Sequence, residues 1–356
     1  MNELEVLSRI EQVRRRVPAR ITGPITMAHG SGGRAMQELI DVVFMRAFAN
    51  PQLAARADAA IVQVGSARVA LSTDAFVVKP LFFPGGDIGS LAVHGTVNDL
   101  AMVGAQPLAL TASFVLEEGF EIALLDRIVA SMRSAAAEAG VAVVAGDTKV
   151  VERGKADGVY ITTTGIGLLA DDIKLGADQI RANDVVLVSG TIGDHGAAVM
   201  VARGELELES DLLSDSAPLN ELVQQILTEF PDSVRVLRDA TRGGVATVIA
   251  ELAQQANLSI TLHERALPLS SEVRGACELL GLDPLYVANE GKFVAVIEPA
   301  AAQDVQAFMQ RHRLGKHAAI IGEVHEQPAG MVFLKTITGG TRVVDLLAGE
   351  QLPRIC

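Results

Sequence analysis

Cysteine is scarce here: Cys277 and Cys356 are the two in 356 residues. That is too few for a disulfide framework or a paired-cysteine metal site. Also missing is any stretch near the roughly 18 uninterrupted apolar residues of a membrane span. The apolar run 100–116 is broken by Gln106, Pro107, Thr111 and Ser113 and reads as buried core. No apolar signal-peptide region opens the chain, because residues 1–20 alternate charges, so a cytoplasmic protein with no membrane partner is expected. Basic residues are outnumbered 30 to 43, and the net charge of −13 opposes binding to a phosphate backbone, so no nucleic-acid partner is expected. The basic cluster Arg14-Arg15-Arg16 precedes Pro18 and reads as a solvated helix face or a weak docking arm. Several signatures are absent too. No GKS or GKT makes a Walker A loop, no HExxH spacing relates His29, His94 and His195, and no nucleophile elbow surrounds Ser31 or Ser189. Zinc and serine-hydrolase chemistry are therefore disfavoured, and the three histidines read as caps or substrate contacts.

What is present describes a globular chain, 49% hydrophobic and 21% charged, long enough for two domains. Residues 1–25 read as an extension, with a short amphipathic helix over 3–17 and a linker at 18–24. From 26 to 173 the periodicity predicts an α+β domain. Strands at 60–64 and 68–72 form a hairpin, a helix runs to Val103, and a strand at 109–116 and a helix at 121–140 follow. Further strands lie at 141–145 and 159–169. From 174 to 340 strands and helices alternate in a layered α/β pattern. Residues 341–356 read as a mobile tail: Gly339, Gly340 and Gly349 offer hinges, Pro353 stiffens the approach, and Cys356 places one soft nucleophile at the tip. The alternative is an ordinary terminus. Cys277, in an amphipathic helical pattern closed by Gly281, reads as a buried thiol.

Candidate chemistry gathers on turns. His29-Gly30-Ser31-Gly32-Gly33 precedes a helical pattern, so its backbone N–H groups either converge on an anion or make a plain turn. Asp74, Asp99 and Asp147 are read at or beyond strand ends, close to Thr73, Asn98, Thr148 and Lys149. Such acids are either turn formers and caps or hard oxygen ligands suited to Mg²⁺ bridging phosphates. Lys149 can bind a phosphoryl oxygen or act as a base. Asp239, Thr241 and Arg242 form a second cluster in which the arginine can fork onto a phosphate, and Glu290 follows Asn289 on another turn.

Several of these motifs occur in one fixed order. They are His29-Gly30-Ser31-Gly32-Gly33, Ser72-Thr73-Asp74, Leu81-Phe82-Phe83-Pro84-Gly85-Gly86, Gly95-Thr96-Val97-Asn98-Asp99-Leu100 and Gly146-Asp147-Thr148-Lys149-Val150-Val151. Then come Ser189-Gly190-Thr191-Ile192-Gly193-Asp194-His195-Gly196, Arg238-Asp239-Ala240-Thr241-Arg242-Gly243-Gly244, Ala288-Asn289-Glu290-Gly291-Lys292 and Pro353-Arg354-Ile355-Cys356. In this order, over 26–356, the chain resembles the HypE hydrogenase-maturation family of the aminoimidazole-ribonucleotide-synthetase-like ATP-binding superfamily. Residues 1–25 depart from that family's compact core.

The resemblance implies two domains, a homodimer formed through the N-terminal sheets, and ATP with Mg²⁺ bound near that interface. It implies that a carbamoyltransferase, HypF, loads a carbamoyl group onto the Cys356 sulfur. The group is then dehydrated with ATP to a thiocyanate, and the cyanide passes to a HypC–HypD iron scaffold for a nickel–iron hydrogenase. Carried over by motif, Asp74, Asp99 and Asp147 are expected to hold Mg²⁺–ATP, with His29, Gly30, Gly32 and Gly33 over the phosphates. Asn98, Thr148, Thr241 and Arg242 are expected on the nucleotide. Cys356, Lys149 and Glu290 are expected to be catalytic, with Glu290 as first choice for the base and Lys149 as the alternative. Two rivals remain: the same ATP fold acting on a diffusible small amide or phosphate, or a non-enzymatic tail that serves as a docking peptide or metal-delivery thiol for a partner.

Overall fold

The computed structural model describes residues 21–204, 211–347, 349 and 355–356. The first sheet begins with the hairpin β1 (Ala60–Val64) and β2 (Ala67–Phe76). A two-residue ladder, β3 (Phe82–Phe83) and β4 (Gly86–Asp87), leads to Asp87, whose Oδ1 accepts from the Gly89 N–H at 2.7 Å and so caps the helix Ile88–Met102. β5 (Gln106–Glu117), the helix Ile122–Ala139, β6 (Ala142–Val151) and β7 (Val159–Leu169) complete the unit. The order is β1-β2-β7-β5-β6, antiparallel except where β6 lies parallel to β5. Both long helices cover one face. Ile88–Met102 is buried on every side except at Ser90 and Asp99, because it also packs on the second domain through the helix Asn220–Glu229 and the strand Val234–Asp239. The opposite face stays open and carries exposed Leu71, Leu108, Ile166 and Leu168.

Two strands run further than their sequences predict. β6 does not stop at 145: its parallel register with β5 continues through Ser113↔Asp147 and Val115↔Lys149, so Asp147, Thr148 and Lys149 lie within a strand. As a sheet edge, β6 tolerates charged side chains that a central strand would not. β2 likewise runs past Asp74, which pairs with Thr163 on β7.

The second sheet contains β8 (Val185–Val188), β9 (Val234–Asp239), β10 (Ser259–His263), β11 (Phe293–Ile297), β12 (Ala319–His325), β13 (Val332–Lys335) and β14 (Thr341–Val344). Their order is β14-β13-β10-β12-β8-β11-β9, with only β10 and β13 parallel. β11 is apolar and buried at all five positions because both faces are covered. Strand alternation divides the core. Val186 and Val188 pack with Ile249 of the helix Gly244–Ala256, while Leu187 packs with Leu222 of Asn220–Glu229 and Val305 of Ala302–Met309.

Two expectations about the tail change. Gly339 and Gly340 form the β13–β14 turn, closed by the Thr336 N–H to the Gly340 carbonyl at 2.9 Å, and are not hinges of an arm. Thr341–Val344, expected in the tail, completes the sheet as β14. The expected 3–17 helix, its arginines and Pro353 lie outside the described residues. Among those described, no helix is long and apolar enough to cross a membrane.

Candidate active site

Five acids meet between the two sheets. Asp58 precedes β1, Asp74 comes from β2, Asp99 from the helix Ile88–Met102, Asp239 from the end of β9, and Glu290 from the segment entering β11. Asp74 and Asp99 influence each other's titration, and Asp99 Oδ2 accepts from Ser72 Oγ at 2.5 Å. Burial raises the pKa of every member. Asp99 is held well above the carboxylate range by desolvation and then by the charges of Asp74, Asp239 and Asp58. Asp239 is raised well above it by desolvation and Asp58, and Glu290 by desolvation, Asp239 and Asp215. Asp58 is pushed up to about 6 by desolvation, against the pull of Arg238.

Two arginines oppose this charge. Arg238 Nε lies 2.7 Å from Asp58, and its other nitrogens reach Glu251 at 3.2 Å and the Arg56 carbonyl at 2.7 Å, so it serves the periphery. Arg242 faces Asp74, Glu290, Asp239 and Cys356. One arginine does not offset the acids, and Glu290 Oε1 and Asp58 Oδ2 are buried without a hydrogen-bond partner among the described residues. An all-oxygen donor set with surplus negative charge and unpartnered oxygens fits a hard divalent cation. Among the described residues no three acidic, histidine or cysteine side chains form a ready-made cage.

The glycine-rich loop closes on Arg242. Arg242 Nη1 donates to the Gly30 carbonyl at 3.4 Å. Gly32 adopts φ +77°, and a Cβ there would stand 2.7 Å from the Arg242 carbonyl oxygen, so only glycine allows this approach. His29 is turned back within its own loop, its Nδ1 2.9 Å from Thr26 Oγ1. Thr241 is half-buried beside Arg242, its carbonyl accepting from the Gly244 N–H at 2.9 Å.

The last two residues enter this cluster. Ile355 is buried in the apolar group that includes Phe76, Val78, Val199 and Ala288. Its carbonyl lies 2.7 Å from His195 Nε2, and the Cys356 carbonyl accepts from the Val77 N–H at 2.9 Å. Burial pushes the Cys356 thiol up to about 12, with Arg242 pulling it down and Glu290, Asp74 and Asp239 pushing it up. The thiol therefore sits within the field of the acids and Arg242.

The structure thus brings together Cys356, Glu290, Arg242, Asp74 and Asp99. It does not bring Asp147, Thr148 or Lys149 to them within one chain. Lys149 Nζ pairs with Asp147 at 2.7 Å on the exposed face of β6, and that bond holds the Asp147 carboxyl below its usual range. Asn98 is committed elsewhere: its amide donates to the carbonyls of Ala217 and Glu290, each at 3.1 Å, and accepts from the Leu219 N–H at 2.8 Å. It holds the Glu290 backbone and has no donor left for a nucleotide. Sequence reading missed Asp58, Asp215 and the tail contact of His195. Asp58 sits in no motif, and the other two declare themselves only through partners 75 and 160 positions away.

The fold is that of the AIR synthase related proteins: the N-terminal domain model of that family matches residues 56–169 and its C-terminal domain model 181–335. The carbamoyl dehydratase HypE of Cupriavidus necator is 54% identical over 336 residues, covering 94% of this chain and 95% of its own. A crystal structure of a HypE–HypF complex superposes with a TM-score of 0.82 at 49% identity, covering 87% of this chain and 99% of the other. A crystal structure of HypE in complex with ATP gives 0.78 at 46%, covering 94% and 100%. The chain belongs to the HypE carbamoyl dehydratases, hydrogenase-maturation members of the AIR synthase related family.

Proposed function

We propose that this protein dehydrates an S-carbamoyl group on its own Cys356 to a thiocyanate, using ATP, as the source of the cyanide ligand of a nickel–iron hydrogenase. The observation that carries the reading is the docked tail: Cys356 lies in the field of Arg242, Glu290 and Asp74, inside the cluster suited to Mg²⁺–ATP.

Loss of water from a carboxamide is slow because hydroxide leaves poorly. Transfer of the γ-phosphoryl group to the amide oxygen gives an S-bound imidate ester and ADP, and C–O cleavage then expels phosphate as the C≡N bond forms. Two N–H protons depart over the sequence. Glu290 is the base for them: one of its carboxylate oxygens is buried without a partner, and desolvation with the neighbouring acids raises its affinity for a proton. Arg242 neutralises charge on the transferring phosphoryl group, and the loop 29–33 lies against Arg242 to cover the phosphates. Bound Mg²⁺ supplies charge neutralisation for the polyphosphate, and Asp74 and Asp99, with Asp239 behind them, are the residues to hold it. Sulfur suits the anchor atom, being a strong nucleophile as thiolate and a competent leaving group for cyanide transfer.

The docked tail is held by both of its last carbonyls and its thiol is half-buried with a raised pKa, so carbamoyl loading is proposed to occur with the tail undocked. The carbamoyltransferase HypF is the proposed donor, supported by the relative's complex with HypF, and a HypC–HypD iron scaffold is the proposed acceptor, in the cytoplasm. A homodimer is proposed through the first sheet, whose open face and β6 edge expose Leu71, Leu108, Val143, Val144 and Val150. Asp147, Thr148 and Lys149 would meet nucleotide where two copies join along that sheet.

Intact mass is the direct test. Incubation with the carbamoyltransferase and its substrates should add one carbamoyl group at Cys356, and ATP should then remove one water. A deletion of Ile355 and Cys356 that preserved ATP-dependent turnover would sink the reading in favour of a diffusible substrate.

A further inference from the structure

Residues 211–219 form a strap laid across the site, and consecutive residues of it grip different parts. The Ser214 N–H donates to the Pro84 carbonyl at 2.8 Å. Asp215 Oδ1 accepts from the Glu290 N–H at 3.0 Å, and its Oδ2 pairs with Lys292 Nζ at 3.1 Å. Ser216 Oγ lies 3.0 Å from His94 Nδ1. Asn98 takes the Ala217 carbonyl and the Leu219 N–H. The strap passes so close to the Glu290 segment that a Cβ on Gly291 would collide with the Asp215 carbonyl oxygen.

Ser214 links this strap to the tail. Its Oγ lies 2.8 Å from His195 Nδ1, and His195 Nε2 lies 2.7 Å from the Ile355 carbonyl. A carbonyl oxygen only accepts, so Nε2 carries the proton, Nδ1 is the acceptor, and Ser214 Oγ donates to it. The Ser216 N–H in turn donates to Ser214 Oγ at 3.1 Å. The chain of bonds therefore has one direction, from the strap through Ser214 and His195 to the tail. His195 is fully buried, edge-on to Phe83, and undocking of the tail would leave its Nε2–H without that acceptor.

We propose that His195, oriented by Ser214, is a positioning residue: a clasp that holds the docked tail by the Ile355 carbonyl and so keeps Cys356 in the site that contains Arg242 and Glu290. The role rests on the reading of Cys356 as the atom that carries the reacting group. The strap makes the clasp and the base parts of one element, since adjacent residues, Ser214 and Asp215, orient the histidine and the Glu290 backbone.

The test is the rate at which iodoacetamide alkylates Cys356 in the full-length protein without ATP or carbamoyl donor, read by peptide mass mapping with buried Cys277 as internal reference. His195→Ala should raise the Cys356 rate about tenfold, the value of one lost hydrogen bond, with the Cys277 rate unchanged. Ser214→Ala should raise it about threefold by releasing the imidazole tautomer. His195→Gln, whose amide can donate to the same carbonyl, should stay within about twofold of wild type. On protein already carbamoylated, His195→Ala should slow dehydration about tenfold without slowing loading. An unchanged Cys356 rate in His195→Ala overturns the clasp. If that variant does not fold, an unchanged rate in Ser214→Ala overturns it instead. Alkylation requires no turnover, so a clasp that passes while Cys356→Ser retains full ATP-dependent turnover would condemn the proposed reaction alone.

Discussion

At the residue scale, Glu290 combines burial, an unpartnered oxygen and a raised pKa, a costly arrangement for a structural acid and a useful one for a base. A folded pKa above the unfolded value contributes stability that is complete below about 4.3 and is lost as pH climbs through the folded value. Glu290→Gln cannot ionise, so its melting temperature should gain on wild type as pH rises from 5 to 8, while turnover falls by about 100-fold or more. Differential scanning fluorimetry across that range, with ATP turnover alongside, checks both halves. Cys356 obeys the same sign: the docked thiol favours the folded, docked state below its ordinary value of about 8.5, and that advantage disappears as pH rises through about 12. Alkylation of Cys356 should therefore keep accelerating above pH 9.5, where a free peptide thiol has levelled off.

At the element scale, β6 and the strap show what placement adds to residue type. β6 ends its sheet with Val144 and Val150 66% and 67% exposed, so two large apolar side chains await cover along a strand that also carries Asp147 and Lys149. If the proposed homodimer forms along this edge, Val144→Lys should shift it to monomer in light scattering and, with it, lower turnover at least tenfold, while the circular dichroism of the chain stays unchanged. The strap depends on Gly291, and Gly291→Ala should weaken both Glu290 and tail docking together, because the added methyl group displaces Asp215 from the Glu290 N–H. Loss of turnover with increased Cys356 alkylation in the same variant is the expected signature.

At the scale of the whole molecule, the site is made by apposition of two sheets. Asp74 and Asp99 come from the first domain, Asp239, Arg242 and Glu290 from the second, and the tip of the tail closes it. A ligand that neutralises this cluster stabilises both halves at once. Mg²⁺–ATP at about 100 times its dissociation constant should stabilise the protein by about 2.7 kcal/mol, a shift of several degrees in melting temperature. Asp99→Asn should abolish the magnesium-dependent part of that shift while raising the melting temperature of the ligand-free protein, since it removes one acid from a crowded group. An Asp99→Asn variant with an undiminished magnesium effect would overturn the assignment of the metal residues.

The sequence alone located most of the strands and helices, because hydrophobic periodicity is a local property, and its ordered motifs carried the resemblance to the family; β13 and β14 were not legible in it. It also singled out Cys356, Glu290, Arg242, Asp74 and Asp99. Strand ends were less legible: Asp74 and Asp147 looked like turn residues, yet pairing with β7 and β5 carries both strands past them. Tertiary structure alone decided that Asn98 supports Glu290, that Asp58 belongs with the acids, and that His195 grips the tail across 160 positions. Hydrogen bonds and charge crowding of that kind depend on distance in space, and no pattern along the chain records such distances.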